Sequence, residues 1–484
     1  MKKLTDILKN TPVREVCGDT AAAIGGLVYD SRAVKPGDCF FAVPGTQSDG
    51  HDYIPIAVEK GAAAIVCERM PADAAEGVAY VLVGDSAGAM ADMAAAFYDY
   101  PSRELKLVGI TGTNGKTTTA TLLYDLVRAM GYKAGLISTV VYKIDGREVE
   151  ATHTTPDSIR LNAMMREMAD AGCAYCFMEC SSHAIVQERT RGLDFAGGIF
   201  SNITHDHLDY HKTFAEYIRA KKLFFDGLPK GAFALTNADD RNGRVMVQNT
   251  AAAVSAYSLR AMADFRCKIV EMHLDGMLLR IDGQELWVGL LGRFNAYNLL
   301  AVYGAAALLG LDRGEVLRVL SMLHAVSGRF EKIRAANGTT AIVDYAHTPD
   351  ALENVIQTIG EIRTPGQQLI VVCGCGGDRD RTKRPEMAAI AVKYATTAVF
   401  TSDNPRHESP EAILDDMVAG LEPGARYLRI ADRAEAIRTA VMLSRPGDII
   451  LVAGKGHETY QIVGDVKHPF DDREEIKKRF ALLN

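Results

Sequence analysis

One stretch of the chain, Leu107 to Ala120 (LVGITGTNGKTTTA), constrains the fold more than any other. An apolar segment of strand type runs into a glycine-rich loop and then into a helical segment. In this arrangement the backbone N–H groups of the loop and the positive end of the helix converge on one small concavity, which binds phosphate. The stretch therefore predicts an α/β domain that binds a nucleotide triphosphate.

Different residues of this loop are expected to make different contacts with a triphosphate. Backbone groups of 112–115 face the phosphate oxygens, Lys116 reaches the terminal phosphates, and the Thr117 hydroxyl binds a magnesium ion. Ile110 stands where the usual phosphate-loop pattern has glycine, so the match is a shortened variant. The motif predicts the ligand class but leaves open the reaction in which the triphosphate is used.

Length and composition bound the class of protein. A chain of 484 residues exceeds what one hydrophobic core supports, so several domains are expected. The net charge of −7 argues against non-specific nucleic-acid binding. No apolar run approaches the roughly 20 residues of a membrane span. We therefore expect neither a nucleic-acid partner nor a membrane, and we expect a monomer.

The N-terminus and the cysteines indicate the compartment. The start, MKKLTDILKN, has no long apolar region and does not resemble a signal peptide. Nine cysteines are scattered along the chain, and an odd number fits poorly with a full disulfide framework. We expect buried free thiols and a cytoplasmic protein.

Alternating strand and helix patterns divide the chain into three α/β units, with predicted boundaries at 1–100, 101–334 and 335–484. In parallel sheets ligands bind at the carboxyl ends of the strands, so polar loops that follow strands are expected to meet. The last unit has four such strands, at 341–343, 369–372, 398–401 and 449–452, followed by the loops DYAHTPD, GCGGDRDRTKRP, SDNPRHE and AGKGHE.

Three polar segments of the central unit follow the phosphate loop. Glu179 ends an apolar strand, which is the usual place for a second anchor of nucleotide-bound magnesium. Three histidines lie within 205–211, and the nearby phosphate loop favours one of them as a magnesium ligand over a zinc site. The segment 217–225 has the pattern of an amphipathic helix, on which Lys221 and Lys222 are expected to be solvated.

Clustered arginines mark the last unit. Arg379, Arg381 and Arg384 lie on one loop, and the run 403–406 (DNPR) lies on another. Arginine forks suit the capture of carboxylates, and an acid such as Asp403 beside them can hold an ammonium group. The pattern therefore favours a ligand that carries both charges, with a solvated charge run as the alternative for the first loop.

Several motifs in a fixed order resemble the Mur ligase family, the ATP-dependent ligases that build the peptidoglycan precursor peptide. The resemblance covers nearly the whole chain and implies a three-domain α/β architecture, with a central phosphate-loop domain on a parallel sheet and a Rossmann-like C-terminal domain. The motifs are GTNGKTT at 112–118, TTPD at 154–157, ECSSH at 179–183, DHLDYH at 206–211, NADD at 237–240, GRFNAYN at 292–298, SGRFE at 327–331, DYAHTPD at 344–350, GCGGDRD at 374–380, DNPR at 403–406 and GKGHE at 454–458.

The resemblance implies roles for individual residues. The first domain would bind the UDP part of a nucleotide-linked peptide, the central domain would bind ATP and Mg²⁺, and the last domain would bind an amino acid. Catalytic residues would be Lys116, Glu179, His207 and Lys221, the last as a carbamate. Metal ligands would be Thr117, Glu179, His207 and Lys221. ATP contacts would come from Gly112, Thr113, Asn114, Gly115, Lys116, Thr117, Thr118, Asn295, Asn298, Arg329 and Asp344. The nucleotide-peptide would meet Ser31, Thr46, Gln47, Thr154, Thr155, Ser181, Gln187 and Arg189.

Within the family the motifs look most like the member that adds meso-diaminopimelate to UDP-N-acetylmuramoyl-L-alanyl-D-glutamate. This amino acid differs from lysine by a second amino-carboxylate end, so its ligase needs an extra cation, which Arg406 supplies. Lysine-adding relatives usually lack that arginine. The implied contacts of the amino acid are Arg384, Asp403, Asn404, Pro405, Arg406, Gly454 and Glu458.

Three alternatives stay open at this stage: a lysine-adding ligase of the same family, a folylpolyglutamate synthase, and a non-catalytic nucleotide-regulated binding protein. A folate enzyme is not expected to carry the first domain or the DNPR segment. A binding protein has no need for metal ligands beside an intact Lys116.

Overall fold

The computed structural model of the chain describes residues 1–45, 48–151, 153–204, 206 and 208–483. Within them, besides two small two-stranded sheets, three large sheets follow one another along the sequence, and helices pack against each. Their strand orders are β2-β7-β6-β5-β4, β11-β10-β9-β12-β8-β13-β14-β15-β16-β17-β18 and β19-β20-β24-β21-β22-β23, with the bounds given below.

The first sheet lies in the N-terminal part of the chain. Its strands β4 to β7 are parallel, and β2 joins the edge antiparallel to β7. The alanine- and methionine-rich helix α3 covers one face, and its first turn is capped by Asp85, which accepts from two backbone N–H groups. The strands are β1 (Lys2–Lys3), β2 (Val13–Cys17), β3 (Ala23–Ile24), β4 (Gly26–Val28), β5 (Asp38–Phe41), β6 (Ala64–Cys67) and β7 (Ala79–Val83), and the helices are α1 (Leu4–Ile7), α2 (Ile54–Glu59) and α3 (Ser86–Phe97).

The central sheet carries the phosphate loop at its middle. Strand β8 lies between β12 and β13, and the register pairs Glu179 with Ile110 and Phe200 with Thr111. The carboxyl ends of three neighbouring parallel strands therefore meet around residue 111. The strands are β8 (Lys106–Thr111), β9 (Ala134–Ile137), β10 (Val141–Ile144), β11 (Arg147–Glu150), β12 (Tyr175–Glu179), β13 (Gly197–Phe200), β14 (Phe233–Asn237), β15 (Ala253–Ser258), β16 (Phe265–His273), β17 (Gly276–Ile281) and β18 (Gln284–Val288).

Helices cover both faces of the central sheet. Helix α4 buries Leu122, Leu123, Leu126 and Val127 in the core, as their helical spacing predicts. The helices of this part are α4 (Lys116–Ala129), α5 (Ser158–Asp170), α6 (Ser182–Val186), α7 (Leu208–His211), α8 (Phe214–Asp226), α9 (Gly243–Met246), α10 (Arg293–Leu308) and α11 (Arg313–Leu320).

The third sheet contains the four strands predicted for the last unit. Strands β20, β24, β21, β22 and β23 are parallel in that order, so the loops after them leave from one edge. The strands are β19 (Glu331–Arg334), β20 (Thr340–Asp344), β21 (Leu369–Cys373), β22 (Thr397–Phe400), β23 (Tyr427–Arg429), β24 (Ile449–Ala453), β25 (Tyr460–Val463) and β26 (Val466–Pro469). The helices are α12 (Pro349–Ile362), α13 (Lys383–Tyr394), α14 (Pro410–Val418), α15 (Arg433–Leu443) and α16 (Asp472–Phe480).

The structure corrects one prediction and confirms another. Lys221 is buried inside helix α8, with 1% of its surface exposed, and is not a solvated lysine. Lys222 is only partly exposed, with 15% of its side-chain surface accessible, and pairs with Asp226. All nine cysteines are free thiols, and all but Cys17 are buried, as expected.

The helices of the described chain are too short or too polar to span a lipid bilayer.

Candidate active site

The phosphate loop follows strand β8 and runs into helix α4. Gly112 and Gly115 have φ angles of 150° and 87°, which a residue with a side chain rarely adopts. A Cβ atom on Gly112 would lie 1.9 Å from the Ser201 Oγ, and one on Gly115 would lie 2.4 Å from the Asn298 Oδ1. Both positions therefore require glycine, and the loop closes tightly over the end of the sheet.

The neighbouring strand end holds the loop in this shape. The Thr113 backbone N–H donates to the carbonyl of Asn202, and the Asn114 N–H donates to its side-chain oxygen. The Ser201 hydroxyl and the Asn202 amide both donate to the carbonyl of Asn114. The Asn114 side chain donates to Asp350 on helix α12, which ties the loop to the last unit. The loop is thus fixed by its neighbours as well as by its glycines.

Two lysines meet at one carbonyl oxygen of the loop. Lys116 Nζ donates to Gly112 O and Thr113 O at 3.0 and 2.8 Å, and Lys221 Nζ donates to Gly112 O at 2.7 Å. Burial lowers the pKa of Lys116, although Glu179 acts in the opposite direction. Burial and the neighbouring Lys116 together lower the pKa of Lys221 well below its usual range. The two amines therefore disfavour each other's positive charge, and a group that offsets this charge is favoured beside them.

Glu179 is the fully buried carboxylate at the end of strand β12. It accepts from the backbone N–H and the hydroxyl of Thr139, at 2.7 and 3.2 Å. The Thr139 hydroxyl in turn lies 3.1 Å from that of Thr154. These contacts hold the carboxylate beside the phosphate loop and leave lone pairs for a further ligand.

The donor groups fit a magnesium ion that is shared with a triphosphate. The described residues contain no group of three His, Cys, Asp or Glu side chains placed to hold a metal. Magnesium suits such a site, because it keeps several waters and takes one or two carboxylates together with substrate phosphates. Glu179 and the Thr117 hydroxyl both line the cleft. The predicted ligand His207 lies outside the described residues.

A cleft of about 760 Å³ opens beside the loop, between the central and last units. Arg329 donates to the Thr117 hydroxyl at 3.3 Å, and its guanidinium lies 4.4 Å from the ring centre of Tyr345. Asp344 accepts from two backbone N–H groups, while its burial raises its pKa. The cleft therefore places a cation and aromatic surface beside the phosphate loop. Its lining includes the predicted ATP residues Thr113, Asn114, Gly115, Lys116, Thr117, Thr118, Asn298, Arg329 and Asp344.

Asn295 and Asn298 support this cleft from helix α10. Both are buried, and the Asn298 amide donates to Asn295 Oδ1 at 3.1 Å. The Asn295 amide donates to a backbone carbonyl of the preceding turn. Asn298 lines the cleft next to Gly115, whereas Asn295 is not among the lining residues.

Four of the residues predicted for the nucleotide-linked peptide, Thr155, Ser181, Gln187 and Arg189, form one hydrogen-bonded group. The Thr155 hydroxyl donates to Glu179 O at 2.7 Å and accepts from Ser181 N. Arg189 donates to Thr155 O and to Gln187 Oε1, both at 2.7 Å. The group borders Glu179, so a carboxylate held here would lie near the phosphate loop.

Of the three residues of the first unit that were predicted to bind the UDP part, Ser31 lies among the described residues. Ser31 is buried at the start of a short 3₁₀ helix. Tyr29, which the motifs did not single out, is half exposed, and burial and the charge of Asp157 raise its pKa while Arg189 lowers it. The charges of Asp157 and Arg189 therefore act on this side of the first unit. The other predicted residues, Thr46 and Gln47, lie outside the described residues.

Arg406 stands out in the loop after strand β22. Its φ angle is 49°, in the left-handed region, and the hairpin β25–β26 binds it on both sides. Arg406 N donates to Ile462 O at 3.1 Å, and Gly464 N donates to Arg406 O at 2.8 Å. One Nη donates to Gly377 O, and the remaining guanidinium N–H groups have no acceptor among the described residues. Burial and the nearby Arg379 lower its pKa, so this pocket also favours an anion.

The other predicted residues of the amino-acid site surround Arg406. Asn404 donates to Glu458 Oε2 at 2.9 Å, and both side chains are largely buried. A Cβ atom on Gly454, which has a φ angle of 115°, would lie 2.5 Å from Asp403 Oδ2. Pro405 turns the chain, and its carbonyl accepts from Glu408 N. Two carboxylates therefore share this corner of the last unit with a guanidinium that has no ion-pair partner among the described residues.

Arg384 does not offer the free cation that the motif suggested. Its side chain has no exposed surface, and its two Nη atoms donate to Glu408, Asp416 and Gly376 O. Two carboxylates already neutralise the guanidinium, because they lie within 3.0 Å of it. A direct contact of Arg384 with an amino acid stays a prediction.

The four strand ends of the last unit divide between two places. The loop after β20 faces the nucleotide cleft, whereas the loops after β21, β22 and β24 form the corner around Arg406. The aromatic contact of Tyr345 with His457, at 5.1 Å between ring centres, joins the two places. The expectation of one shared site is therefore refined to two adjoining ones.

Three family models match the chain: Mur ligase family, catalytic domain, at 23–98; Mur ligase middle domain, at 110–306; and Mur ligase, glutamate ligase domain, at 328–456. A curated relative from Phocaeicola vulgatus, named UDP-N-acetylmuramoyl-L-alanyl-D-glutamate–2,6-diaminopimelate ligase, is 55% identical over 481 residues, which are 99% of each chain. The chain belongs to the Mur ligase family. A solved structure named for the same ligase is 31% identical, with a TM-score of 0.71, and the match covers 100% of this chain and 99% of that one.

The Mur ligase fold is shared more widely. A folylpolyglutamate synthase from Mycobacterium tuberculosis, solved with ADP and AMPPCP, has a TM-score of 0.62 at 18% identity. The match covers 75% of this chain and 91% of that one. At this identity the likeness shows only a common fold.

Some residues of the site escaped the sequence motifs. Thr139 and Asn202 shape the pocket through hydrogen bonds to Glu179 and to the phosphate loop. Lys455 lies inside the GKGHE motif, but its partners are visible only in the folded chain. The sequence could have indicated Thr139 and Asn202 through their position, because each follows the end of a strand of the central sheet.

Proposed function

We propose that this Mur ligase uses ATP to join the D-glutamyl γ-carboxylate of UDP-N-acetylmuramoyl-L-alanyl-D-glutamate to an amine of meso-2,6-diaminopimelate. The observation that carries the proposal is the 55% identity, over 99% of both chains, to a relative named for this reaction. The corner around Arg406 supports it, since its guanidinium N–H groups suit a carboxylate while Asp403 and Glu458 suit an ammonium group.

In the first step the γ-carboxylate attacks the γ-phosphorus of ATP, which gives an acyl phosphate and releases ADP. The loop N–H groups of 112–115 and the end of helix α4 hold the phosphates, and Lys116 leaves its loop carbonyls to contact them. Arg329 adds positive charge from the other side of the cleft. The protein thereby contributes position and charge neutralisation to the phosphoryl transfer.

In the second step the amine of diaminopimelate attacks the acyl carbon, and a tetrahedral intermediate collapses to the amide with loss of phosphate. Arg406, Asn404 and Glu458 hold the far amino-carboxylate end, which directs the reacting amine towards the nucleotide cleft. The contact of Tyr345 with His457 shows that the two places adjoin. Domain closure over the reactants completes this arrangement.

Magnesium fits the donor set of the cleft, and we propose Thr117, Glu179, His207 and Lys221 as its ligands. The ion would neutralise the charge of the triphosphate. Lys221 qualifies as a carbamate, because a second ammonium beside Lys116 would repel a metal whereas a carbamate offers oxygen ligands. Because Lys221 is buried, molecules from bulk water do not compete with it for the metal ion.

The remaining predictions complete the proposal. The domains are 1–100 for the UDP part, 101–334 for ATP and 335–484 for the amino acid. Ser31, Thr46 and Gln47 bind the UDP part, and Thr154, Thr155, Ser181, Gln187 and Arg189 bind the peptide part. The enzyme acts as a monomer in the cytoplasm, in peptidoglycan precursor synthesis, and needs neither nucleic acid nor a membrane.

The test is a phosphate-release panel with ATP, Mg²⁺ and the UDP-linked dipeptide. We expect release with meso-diaminopimelate, and little release with lysine or glutamate at the same concentration. Mass spectrometry of the product should show the gain of one diaminopimelate less one water. A preference for lysine, or release that depends on a folate in place of the UDP-linked dipeptide, would contradict the proposal.

A further inference from the structure

Lys455 is the buried cation beneath the corner around Arg406. Its side chain has no exposed surface, and its ammonium donates to Asn404 Oδ1 at 3.1 Å and to Glu458 Oε2 at 2.9 Å. The nitrogen also lies 5.6 Å from the ring centre of Tyr460. The reaction proposed above assigns no step to this lysine, whose ammonium is engaged by Asn404 and Glu458.

The contact with Lys455 fixes the orientation of the Asn404 amide. Asn404 Oδ1 accepts from Lys455 and from Ile462 N, and Nδ2 donates to Glu458. A reversed amide would turn its NH₂ group towards two donors and its oxygen towards a carboxylate. Three hydrogen bonds therefore fix the Asn404 amide in one orientation, and Lys455 donates one of them.

The same ammonium sets the orientation of the Glu458 carboxylate. Oε2 accepts from both Lys455 and Asn404, and Oε1 has no partner among the described residues. A carboxylate that is tied through one oxygen presents the other in a fixed direction. Lys455 also offsets the cost of keeping this charge in a largely buried place.

We propose that Lys455 is a positioning residue for the amino-acid substrate. It holds the Asn404 amide and the Glu458 carboxylate in the one arrangement that can receive the far ammonium and carboxylate groups of an amino acid with two charged ends. The inference rests on the proposed function, because it takes the corner around Arg406 as the place where diaminopimelate binds. It concerns the second step alone, since both hydrogen bonds given for the Lys455 ammonium go to residues of the corner around Arg406.

Lys455→Met tests the role, because methionine keeps the length of the side chain and removes the ammonium. We expect the KM for meso-diaminopimelate to rise about 10- to 100-fold, with kcat reduced less than KM rises. The first step is measured separately with hydroxylamine, which captures the acyl phosphate as a hydroxamate and needs no amino-acid pocket. Hydroxamate formation and the KM for ATP should stay at wild-type values.

Lys332→Met is the matched control. Lys332 also donates from a partly buried position, to the carbonyls of Leu274 and Asp275, but it lies outside the corner around Arg406. This variant should keep the wild-type KM for diaminopimelate. If Lys455→Met leaves that KM unchanged, or lowers kcat and hydroxamate formation in equal measure, the positioning role is wrong.

Lys455→Gln guards against a variant that fails to fold. Glutamine keeps an uncharged NH₂ donor on a side chain one atom shorter, so we expect a KM between those of the wild type and Lys455→Met. A wild-type KM in folded Lys455→Gln, together with unfolded Lys455→Met, would show a purely structural lysine and overturn the inference. The proposed function fails separately, if the wild-type enzyme itself does not use diaminopimelate.

Discussion

In the proposed function, the phosphate loop and the corner around Arg406 both capture a charged ligand, but they do so in different ways. The loop binds with backbone N–H groups from consecutive residues, 112–115, and with the helix that follows them. The corner binds with side chains from two separate loops, 403–406 and 454–458, which a third element, the hairpin β25–β26, holds in place.

The two sites also differ in the interactions that make them rigid. In the loop, two glycines with positive φ and the bonds from Ser201 and Asn202 set the backbone. In the corner, polar side chains are already bonded to one another before any ligand binds, as Asn404 and Glu458 are. A site of the first kind depends on local sequence, whereas one of the second kind depends on long-range contacts.

Loss of the loop lysine should have the largest effect. Lys116→Met removes the cation for the terminal phosphates, so we expect phosphate release and hydroxamate formation to fall together, about 1,000-fold. Lys106→Met, at the exposed start of strand β8, is the control and should stay near wild type. Hydroxamate formation at the wild-type rate in Lys116→Met would remove this lysine from the first step.

Loss of Lys221, the buried second lysine, should lower kcat about 100-fold. Lys221→Ala removes the proposed carbamate ligand, and excess acetate should partly restore activity by supplying a carboxylate to the vacated place. Lys222→Ala, one residue along helix α8 and paired with Asp226, should have little effect. Full activity of Lys221→Ala without acetate would exclude the carbamate.

Loss of the unpaired arginine should separate the two sites. Arg406→Ala is expected to raise the KM for diaminopimelate about 10- to 100-fold and to leave hydroxamate formation intact. Arg381→Ala is the control, since Arg381 is mostly exposed and pairs with Glu408. Equal losses in both steps would mean that Arg406 does not belong to the amino-acid site alone.

The smallest effect concerns stability at low pH. Hydrogen bonds from Arg384 lower the pKa of Glu408 to about 2, below the usual value of about 4.3. The stability that this carboxylate contributes is therefore complete above about pH 4.5 and is lost as the pH falls towards 2. Between pH 5 and 3 the melting temperature of the wild type should fall more steeply than that of Glu408→Gln, as measured by circular dichroism. Parallel curves would contradict this ion pair.

The phosphate loop could be predicted from the sequence because its chemistry is local. Strand, glycines, lysine and helix follow one another within 107–120, and the structure places them as expected. The strands of the last unit were likewise found from their apolar runs and the polar loops that follow. Periodicity, turn residues and burial are properties of neighbouring residues, so the pattern alone carries them.

The side-chain networks could not be predicted in this way. Lys221 looked solvated on an amphipathic helix, and its burial depends on the loop 109 residues away along the chain. Arg433 and Asp472 form a fully buried ion pair, in which Arg433 also donates to Ala453 O at the end of strand β24. The left-handed conformation of Arg406 depends on a hairpin that follows more than 50 residues later. Partners at such distances leave no trace in local spacing.

The central claim, that the phosphate loop activates a carboxylate for attack by the amino acid, has a direct isotopic test. The UDP-linked dipeptide is prepared with ¹⁸O in the D-glutamyl γ-carboxylate and incubated with the enzyme, ATP, Mg²⁺ and meso-diaminopimelate. The account predicts one ¹⁸O atom in each released phosphate, because the carboxylate oxygen that attacks the γ-phosphorus leaves with it. Unlabelled phosphate released together with the diaminopimelate product would contradict the acyl-phosphate route.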